Sequence, residues 1–478
     1  MNSNSPVPAA DTLLNQLTDY VLDYTPVNPE AYGTARYCLI DSMGCALRSL
    51  DDADCRRVLG PLVDDITITG GIRIPGLAHE LEPVQAAFNL GSMIRWLDFN
   101  DTWLAAEWGH PSDNLGGILA AALLMEKRRH RVSLRDVLTA MIKAYEIQGC
   151  LALDNSFNQF GLDHVILVRV ATTLVTSTML GASRQQVFNA LSNAWVDGGS
   201  LRCYRHAPDT GSRKSWAAGD ATARGLWLAL LAMRDETGYP HALSTPGWGF
   251  QDSLLHGQAL TLTQPLDSYV MQNILFKVAF PAEFHAQTAV EAAIRLHAVA
   301  GERCNDIKHI VIETQQAGMR IINKTGTLNN PADRDHCLQY MVAIALLQGS
   351  LTSADYHDSR AADPRIDRLR DCMEVIENPE FTRAYHDPSR RAIPGAVQIF
   401  FGDDSRSERI AVEFPLGHPQ RRGEALPLLH EKFIDNTRGH LARDCCEQIL
   451  ALPGDGERFD AMPVGDFMHL LHSQPADR

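Results

Sequence analysis

Residues 134–153 have the sequence LRDVLTAMIKAYEIQGCLAL, in which apolar side chains recur at helical spacing. Leu134, Val137 and Leu138 begin a stripe that continues through Met141, so one face of a helix would be apolar along its length. The same spacing recurs in other segments of the first half of the chain: 13–24, 31–50, 84–97, 115–128, 165–180, 184–195 and 217–234. This pattern predicts a large all-helical domain.

The pattern changes near residue 270. Three segments beyond it have the composition and alternation typical of strands: 307–313, 396–401 and 409–414. Helical spacing is found between them and in the tail, near 335–348, 365–377, 423–452 and 464–471. We therefore predict a mainly α chain with this division: a helical domain over residues 1–272, a smaller α+β unit over 273–415, and C-terminal helices over 416–478 that pack back on the helical domain.

The composition is that of an ordinary globular protein with an acidic excess. The chain has 478 residues, enough for more than one packed unit, and a formal net charge of -15. That charge argues against nonspecific binding to nucleic acid or to an acidic membrane, because both need a cationic surface. No stretch approaches the roughly 20 apolar residues of a membrane span. An anionic ligand would have to bind where lysines, arginines and histidines gather locally.

The ten cysteines are dispersed along the chain, and none forms a C-x-x-C pair. This arrangement predicts free thiols in a reducing compartment. The first thirty residues lack the basic leader and apolar core of an export signal, so we expect a cytoplasmic protein. An iron–sulfur cluster held by three distant cysteines is the alternative, since spacing alone does not exclude it.

Familiar nucleotide and zinc-hydrolase motifs are absent from the sequence. There is no G-x-G-x-x-G after a strand, no G-x-x-x-x-G-K-[ST] and no H-E-x-x-H. The pair Gly70-Gly71 is typical of a turn, with a phosphate-cradling loop as the alternative. The chemistry is therefore expected to come from ordinary side chains.

Residues 98–114, DFNDTWLAAEWGHPSDN, hold the densest set of chemically useful side chains. If the preceding helix continues, Asp98 and Thr102 lie one turn apart on one face, where both could point into one pocket. Taken alone, Asp98 is equally explained as a solvated carboxylate at a helix end. The crowding of acids, tryptophans and a histidine favours a functional site.

The second half of this segment predicts a turn and a new helix. His110 precedes a proline, which disfavours helical backbone at that residue. Ser112 or Asp113 could then cap a helix that begins near Asn114, and its first amides would favour a bound anion.

Segment 98–114 resembles the signature of the MmgE/PrpD family. Three further pieces agree with the resemblance: RKSWAAGDA at 213–221, the pair FK at 276–277 with FPAEFH at 280–285, and FPLGHP at 414–419. The resemblance therefore extends across most of the chain. It implies a large all-helical domain, made of the N-terminal part and the C-terminal tail, with a smaller α+β lid inserted between them.

The resemblance also implies site residues. Its catalytic candidates in this chain are Asp98, His110, Lys214 and Lys277, and its substrate-binding candidates are Thr102, His164, Ser112 and His285. The match at His164 is weaker, because residues 160–163 differ from the family wording. Many relatives have Lys-x-Tyr-Pro at the second lysine, whereas this chain has Val278, Ala279 and Phe280 before Pro281, which suggests a subfamily difference in substrate.

Simpler explanations exist for most of these side chains. Lys214 could be a solvated lysine at a helix start, Lys277 a surface lysine and His285 a helix-capping residue. Arg95, Arg202 and Arg205 are more simply explained as surface or ion-pairing residues than as substrate clamps. The two tryptophans of the segment, Trp103 and Trp108, are expected to pack rather than to stack on a ligand.

For the activity, the resemblance implies a hydro-lyase that removes water from a small tricarboxylate without a metal or an organic cofactor, with 2-methylcitrate as the expected substrate. Decarboxylation of cis-aconitate, epimerisation of amino-dicarboxylates and interconversion of citrate and aconitate are the alternatives within the family. A helical scaffold without catalysis is the alternative outside it. Relatives often pair through the helical domain, so a homodimer is also expected.

Dehydration of such a substrate has a definite chemical requirement. Removal of a hydrogen next to a carboxylate loads further negative charge on a trianion, so cations must stabilise it, and we expect Lys214 and Lys277 to do so. A general base and a general acid are needed, for which Asp98 and His110 are the candidates. Two lysines would lower the pKa of Asp98, which favours His110 as the base. Closure of the lid is expected to bring Lys277 toward both residues.

Overall fold

The computed structural model describes residues 10–63, 66, 68–206, 210–387 and 389–472. The fold is mainly α, as predicted, with small sheets. Among the described residues, no helix combines the length and the apolar character needed to cross a membrane.

The first 273 residues form helices at all eight places that the apolar spacing predicts, and also short helices that it did not predict, over residues 53–58, 250–254 and 269–273. They are α1 Thr12–Asp23, α2 Pro29–Ser49, α3 Ala53–Val58, α4 Pro83–Arg95, α5 Leu115–Lys127, α6 Leu134–Asp154, α7 Val165–Met179, α8 Arg184–Val196, α9 Arg213–Ala232, α10 Phe250–Leu254 and α11 Tyr269–Asn273. Two short antiparallel pairs accompany them: β1 Ile72–Arg73 with β2 Glu80–Leu81, and β3 Trp103–Leu104 with β4 Trp108–Gly109.

A four-stranded sheet follows, in the order β6-β5-β7-β8. Its strands are β5 Ile307–Thr314, β6 Met373–Glu377, β7 Gly395–Phe401 and β8 Ile410–Val412, with β5 and β6 parallel and the other pairs antiparallel. Its helices are α12 Gln287–Arg295, α13 His297–Glu302, α14 Gln316–Ile321, α15 Pro331–Arg334, α16 Leu338–Gln348, α17 Asp358–Ala361, α18 Pro364–Asp371 and α19 Pro379–His386. We call this α+β unit the lid.

The tail returns to helix in α20 Arg422–Thr437, α21 Arg443–Ala451, α22 Gly456–Ala461 and α23 Val464–His472. Its apolar residues, including Phe433 and Phe467, belong to the same buried core as α1 to α9. A second core, which includes Val290 and Ile310, lies inside the lid. The two cores support the predicted division at about residues 272 and 415, which we retain as a proposal; the first core extends as far as Val278.

Helices α4 and α9 approach each other at two glycines. A Cβ atom on Gly91 would lie 2.9 Å from Gly219 Cα, and one on Gly219 would lie 2.5 Å from the carbonyl oxygen of Phe88. Only residues without a side chain allow this approach. The contact fixes the last turn of α4, which carries Arg95, relative to the first turn of α9, which carries Lys214.

The chain enters and leaves the lid at one point. The amide of Phe276 donates to the carbonyl oxygen of Gly417 at 3.2 Å, and Gly417 has a φ of 88° and leaves no room for a Cβ atom. Next to this crossing, Lys432 of α20 donates to the carbonyl oxygens of Lys277 and Phe99, each at 2.6 Å. The backbone beside Lys277 is therefore fastened to the helical domain.

Two of the helical predictions were wrong. Residues 365–377 form α18 and then β6, because the second part pairs with β5 at the edge of the sheet. Helix α4 ends at Arg95 and does not continue to Thr102; Asp98 has a φ of 50°, which turns the chain out of the helix. The glycine pair at residue 70 forms the predicted turn, and both its amides donate to Glu80.

Candidate active site

A small cavity of about 30 Å³ lies between the helical domain and the lid. Its lining includes five of the predicted site residues: Asp98, Thr102, His110, His164 and Lys277. Arg95, Arg202, Arg205 and Glu283 also line it. Cations are therefore concentrated here in a chain whose net charge is -15.

Asp98 lies at the centre of the positively charged wall. Its Oδ1 atom is 2.5 Å from Arg95 Nη1, 3.2 Å from Lys277 Nζ and 3.4 Å from His110 Nε2. Burial alone would raise the pKa of Asp98, but Arg95, Lys277 and His110 together hold it well below its ordinary value. Asp98 is therefore an ionised carboxylate in the free protein.

His110 is held in one tautomer by its backbone neighbour. Its Nδ1 atom lies 2.7 Å from the carbonyl oxygen of Asp101, which can only accept, so Nδ1 carries the proton. Thr102 Oγ1 lies 3.4 Å from the same nitrogen. Burial and the nearby Arg95 guanidinium lower the pKa of His110 well below its ordinary value. The neutral ring therefore presents an unprotonated Nε2 toward Asp98 and the cavity.

His164 lies beside His110, with 6.0 Å between the ring centroids. Neither of its ring nitrogens has a hydrogen-bond partner among the described residues. Burial lowers the pKa of His164 well below its ordinary value, so the ring is neutral. Its Nδ1 atom lies 3.3 Å from Asp163 Oδ1, whereas Nε2 has no such neighbour among the described residues and is available to a ligand, which supports the predicted binding role.

The arginines of the cavity differ in how fully they are paired. Arg205 binds both carboxylate oxygens of Asp163 and so forms an ion pair. Arg202 Nη1 is 3.8 Å from Asp163, has no hydrogen-bond partner among the described residues, and its guanidinium lies 5.4 Å from the ring of Trp108. Arg202 is therefore the arginine most available to a carboxylate.

The two predicted lysines are buried, not solvated. Lys277 is 1% exposed and donates to the carbonyl oxygen of Asp98 at 2.6 Å. Lys214 is 4% exposed and donates to both oxygens of Asp335, at 2.6 and 2.7 Å. Burial lowers the pKa of both ammonium groups. Lys214 thus connects the helical domain to the lid.

The lid contributes its own charged groups to the cavity. His336 lines it, with Nδ1 2.8 Å from Asp335 Oδ1 and 3.0 Å from Lys214 Nζ. Glu283 also lines it and accepts from His285, whose Nδ1 is 2.8 Å from Glu283 Oε1. His285 Nε2 in turn lies 3.2 Å from the hydroxyl of Tyr385.

Two predicted binding residues lie behind the cavity wall. Ser112 donates its hydroxyl to Asp101 at 2.8 Å and its amide to the same carboxylate oxygen at 3.1 Å. Its backbone is in a 3-10 helix, Pro111–Asn114, which runs directly into α5, so the predicted capping by Ser112 or Asp113 was wrong. His285 is completely buried against Glu283 and Tyr385. The contacts place both side chains one layer behind the space for a ligand.

Three potential metal-ligating atoms come together in this site. Atoms of Asp98, Asp335 and His336 lie within 4.8 Å of one another. However, Lys277 contacts Asp98 and Lys214 contacts Asp335, so permanent cations already neutralise the two carboxylates. The donor set fits an ion-pair network better than a metal site. No cysteine is among the residues that line the described cavity.

Sequence reasoning did not find the groups that the lid supplies, Glu283, Asp335 and His336. The adjacent pair Asp335-His336 was the available signal, but nothing local to it indicates that Lys214, 121 residues earlier, is its partner. Lys432, which anchors the backbone at Lys277, was likewise missed.

Two family models match the chain. The MmgE/PrpD N-terminal domain matches residues 15–263, and the MmgE/PrpD C-terminal domain matches residues 280–452. Together they span both the helical domain and the lid.

Curated relatives match over nearly the full length. A 2-methylcitrate dehydratase from Cupriavidus necator is 54% identical over 471 residues, 97% of each chain. One from Escherichia coli K12 is 52% identical over 471 residues, covering 97% of this chain and 98% of the relative. A mitochondrial 2-methylcitrate dehydratase from Yarrowia lipolytica is 51% identical over 454 residues, covering 93% and 87%.

Proposed function

The chain belongs to the MmgE/PrpD family, and from that membership we propose that it is a 2-methylcitrate dehydratase. The reaction eliminates water from 2-methylcitrate to give 2-methyl-cis-aconitate, a step of propionate degradation. The observation that carries the proposal is the enclosed cavity in which cations surround the Asp98–His110 pair. The names of relatives at about half identity support this substrate over decarboxylation or epimerisation.

His110 is the general base of the proposed reaction. Its Nδ1 proton is held by the carbonyl oxygen of Asp101, so Nε2 can accept the proton from the acidic carbon of the substrate. The imidazolium that forms would lie 3.4 Å from the Asp98 carboxylate, which stabilises it. Asp98 is therefore assigned an electrostatic role, in keeping with its lowered pKa.

Cations meet the charge that develops on the substrate. Lys277 and Lys214 stabilise the enediolate, and Arg202 binds a carboxylate through its Nη1 atom, which has no hydrogen-bond partner among the described residues. Thr102 and His164, which line the cavity, bind the remaining oxygens. Ser112 and His285 act through their neighbours, by orienting Asp101 and Glu283.

The proposed enzyme works without an iron–sulfur cluster, other metal or organic cofactor. All ten cysteines are described and free, none of them lines the cavity, and none belongs to a group of three potential metal ligands. The free thiols also support a cytoplasmic location.

We also propose that the protein forms a homodimer that pairs through the helical domain. Light scattering of the purified protein tests this oligomeric state.

The proposal is tested with purified, chelator-treated protein incubated separately with 2-methylcitrate, citrate and cis-aconitate. We expect rapid loss of water from 2-methylcitrate, followed by the absorbance of the unsaturated acid and by mass identification of 2-methyl-cis-aconitate. Turnover of another acid in place of 2-methylcitrate would contradict the substrate. Loss of activity on chelation, with recovery on adding iron and sulfide, would contradict independence from a cluster.

A further inference from the structure

The proposed reaction needs a proton donor for the departing hydroxide, and the Asp98–His110 pair does not supply one. Asp98 is ionised, and His110 carries its proton on Nδ1, which faces a backbone carbonyl. The described contacts of Lys277 Nζ are both with Asp98. His164 lies beside the base, with 6.0 Å between the two ring centroids. The opposite wall, which the lid forms, is therefore the place where a donor can face the base across the cavity.

His336 is the lid residue with the right chemistry and position. It lies between α15 and α16, lines the cavity, and comes within 4.8 Å of the Asp98 carboxylate. In the part of the chain that the structure describes, its contacts are made through Nδ1, with Asp335 and Lys214. Its Nε2 atom is left for a ligand in the cavity.

The two partners of Nδ1 make the ring able to pass a proton. The Lys214 ammonium, 3.0 Å away, can only donate to Nδ1, and the Asp335 carboxylate, 2.8 Å away, can only accept from it. When Lys214 donates, the neutral ring carries its proton on Nε2; when Asp335 accepts, the proton is on Nδ1. The ring thus has a defined partner in each tautomer.

We propose that His336 is a catalytic residue, the general acid that protonates the departing hydroxide of the substrate. The inference rests on the proposed dehydratase function and extends it to a residue of the lid.

The proton balance of the step is closed. His110 Nε2 takes the proton from the acidic carbon, the carbon–oxygen bond breaks, and the Nε2 proton of His336 goes to the hydroxide to form water. Nδ1 of His336 takes a proton from Lys214 at the same time and then donates to Asp335. After product release, His110 gives its proton to solvent, His336 returns the Nδ1 proton to Lys214, and Nε2 of His336 takes a proton from solvent. The starting state is thus restored and no other reactant is required.

The electrostatic surroundings of His336 agree with a neutral donor. The charged groups that face it are Lys214 of α9, Asp98 after α4, Asp335 beside it and Glu283 of the lid. Burial and the Lys214 ammonium lower the pKa of His336, and burial lowers the pKa of Lys214, which makes that ammonium a better proton donor.

The test is the variant His336→Asn, whose amide occupies the position of Nδ1 and removes only Nε2. Two rates are measured in deuterated water: loss of water from 2-methylcitrate and deuterium incorporation into recovered substrate. We expect dehydration to fall by about 100-fold or more, the usual contribution of a general acid. The ratio of exchange to dehydration should rise by about tenfold or more, because the base still works while the leaving group does not.

The matched control is His357→Asn, an exposed lid histidine, which should keep both rates. Thermal unfolding of both variants verifies folding, and His336→Gln replaces the Asn variant where the latter does not fold. Dehydration within about threefold of wild type, or an equal loss of exchange and dehydration, overturns the role of His336. Wild-type protein that leaves 2-methylcitrate unchanged instead overturns the proposed function, so the two failures are distinct.

Discussion

On the helical side of the cavity each reacting group is held by neighbours of the same domain, whereas on the lid side the groups are held across the domain boundary. Asp98 is bound by Arg95 of α4 and by Lys277, whose backbone Lys432 fastens to the helical domain. Asp335 and His336 are bound by Lys214 of α9. The base is therefore held in position before the substrate binds. The lid residues Asp335 and His336 are positioned by their contacts with Lys214.

This difference teaches how the work is divided. Proton abstraction requires exact geometry. Side chains that several neighbours already hold in position provide this geometry without further reorganisation during the reaction. Groups that meet across a boundary can be assembled when the substrate is enclosed, which ties the later step to closure. Four predictions test the difference between the two walls.

The largest effect is expected from His110→Gln, which removes the basic Nε2 atom from the helical wall. We expect kcat to fall by about 10³- to 10⁴-fold, at the upper end for loss of a general base. Deuterium exchange at the acidic carbon should stop as well, unlike in the lid variant His336→Asn. The control is His79→Gln, an exposed histidine of the helical domain. Exchange that continues at the wild-type rate would place the base elsewhere.

The second prediction compares the two buried carboxylates through protein stability. Asp98→Ala leaves Arg95 and Lys277 buried without their partner and should lower the free energy of unfolding by about 3 to 5 kcal/mol. Asp335→Ala on the lid, whose carboxylate is 19% exposed, should lower it by only about 1 to 2 kcal/mol. Urea unfolding of both variants measures the difference. Equal losses would mean that the lid wall is as firmly built as the helical wall.

The third prediction concerns the lysine that joins the walls. Lys214→Met keeps the length of the side chain but removes its charge, so the lid groups lose their anchor and the substrate loses a cation. We expect kcat/KM to fall by about 10- to 100-fold, the value of one charge-assisted contact. Lys308→Met, at an exposed lysine of the lid, is the control and should behave as wild type. A normal kcat/KM for Lys214→Met would remove this lysine from the site.

The smallest effect is expected in the pH dependence of stability. Burial raises the pKa of Glu107 and of Asp113 to about 7, so their stabilising contribution is complete below their ordinary pKa values and is lost as pH rises toward 7. Wild-type protein should lose unfolding free energy between pH 5 and 7, at up to about 1.4 kcal/mol per pH unit for each of the two groups. The double variant Glu107→Gln, Asp113→Asn should show a flatter profile by denaturant unfolding. An unchanged slope would assign the dependence to other groups.

Asp98 is expected to show the opposite sign. Its pKa is lowered by folding, so its contribution stays constant above its ordinary value and is lost only as pH falls below about 4.

The sequence predicted most helices of the molecule because a continuous apolar face is a local pattern. It placed α2, α6 and α7 within a few residues of their observed bounds. It failed at β6, where an edge strand with largely exposed side chains has no alternation of burial to reveal it. It also extended α4 too far, since the left-handed backbone of Asp98 has no signal in an aspartate alone.

The residues of the candidate site likewise differ in whether a local sequence pattern predicts them. Thr102 and His110 lie in one short segment with Asp98, so their proximity could be predicted from residue spacing. The contact of Lys214 with Asp335 joins residues 121 positions apart, and the packing of the lid against α9 decides it. Tertiary packing of that kind produces no recognisable sequence pattern in either segment.

The meeting of Phe276 and Gly417 has a consequence for how such an enzyme can change. Because the chain leaves the helical domain and returns to it at one point, the lid is an insertion whose ends are already joined. Its length and content can vary between Val278 and Gly417 while Lys277 keeps its contact with Asp98. Substitutions, insertions and deletions in the lid can therefore change the substrate that the enzyme accepts. Asp98 and His110, which take part in proton abstraction, keep their positions.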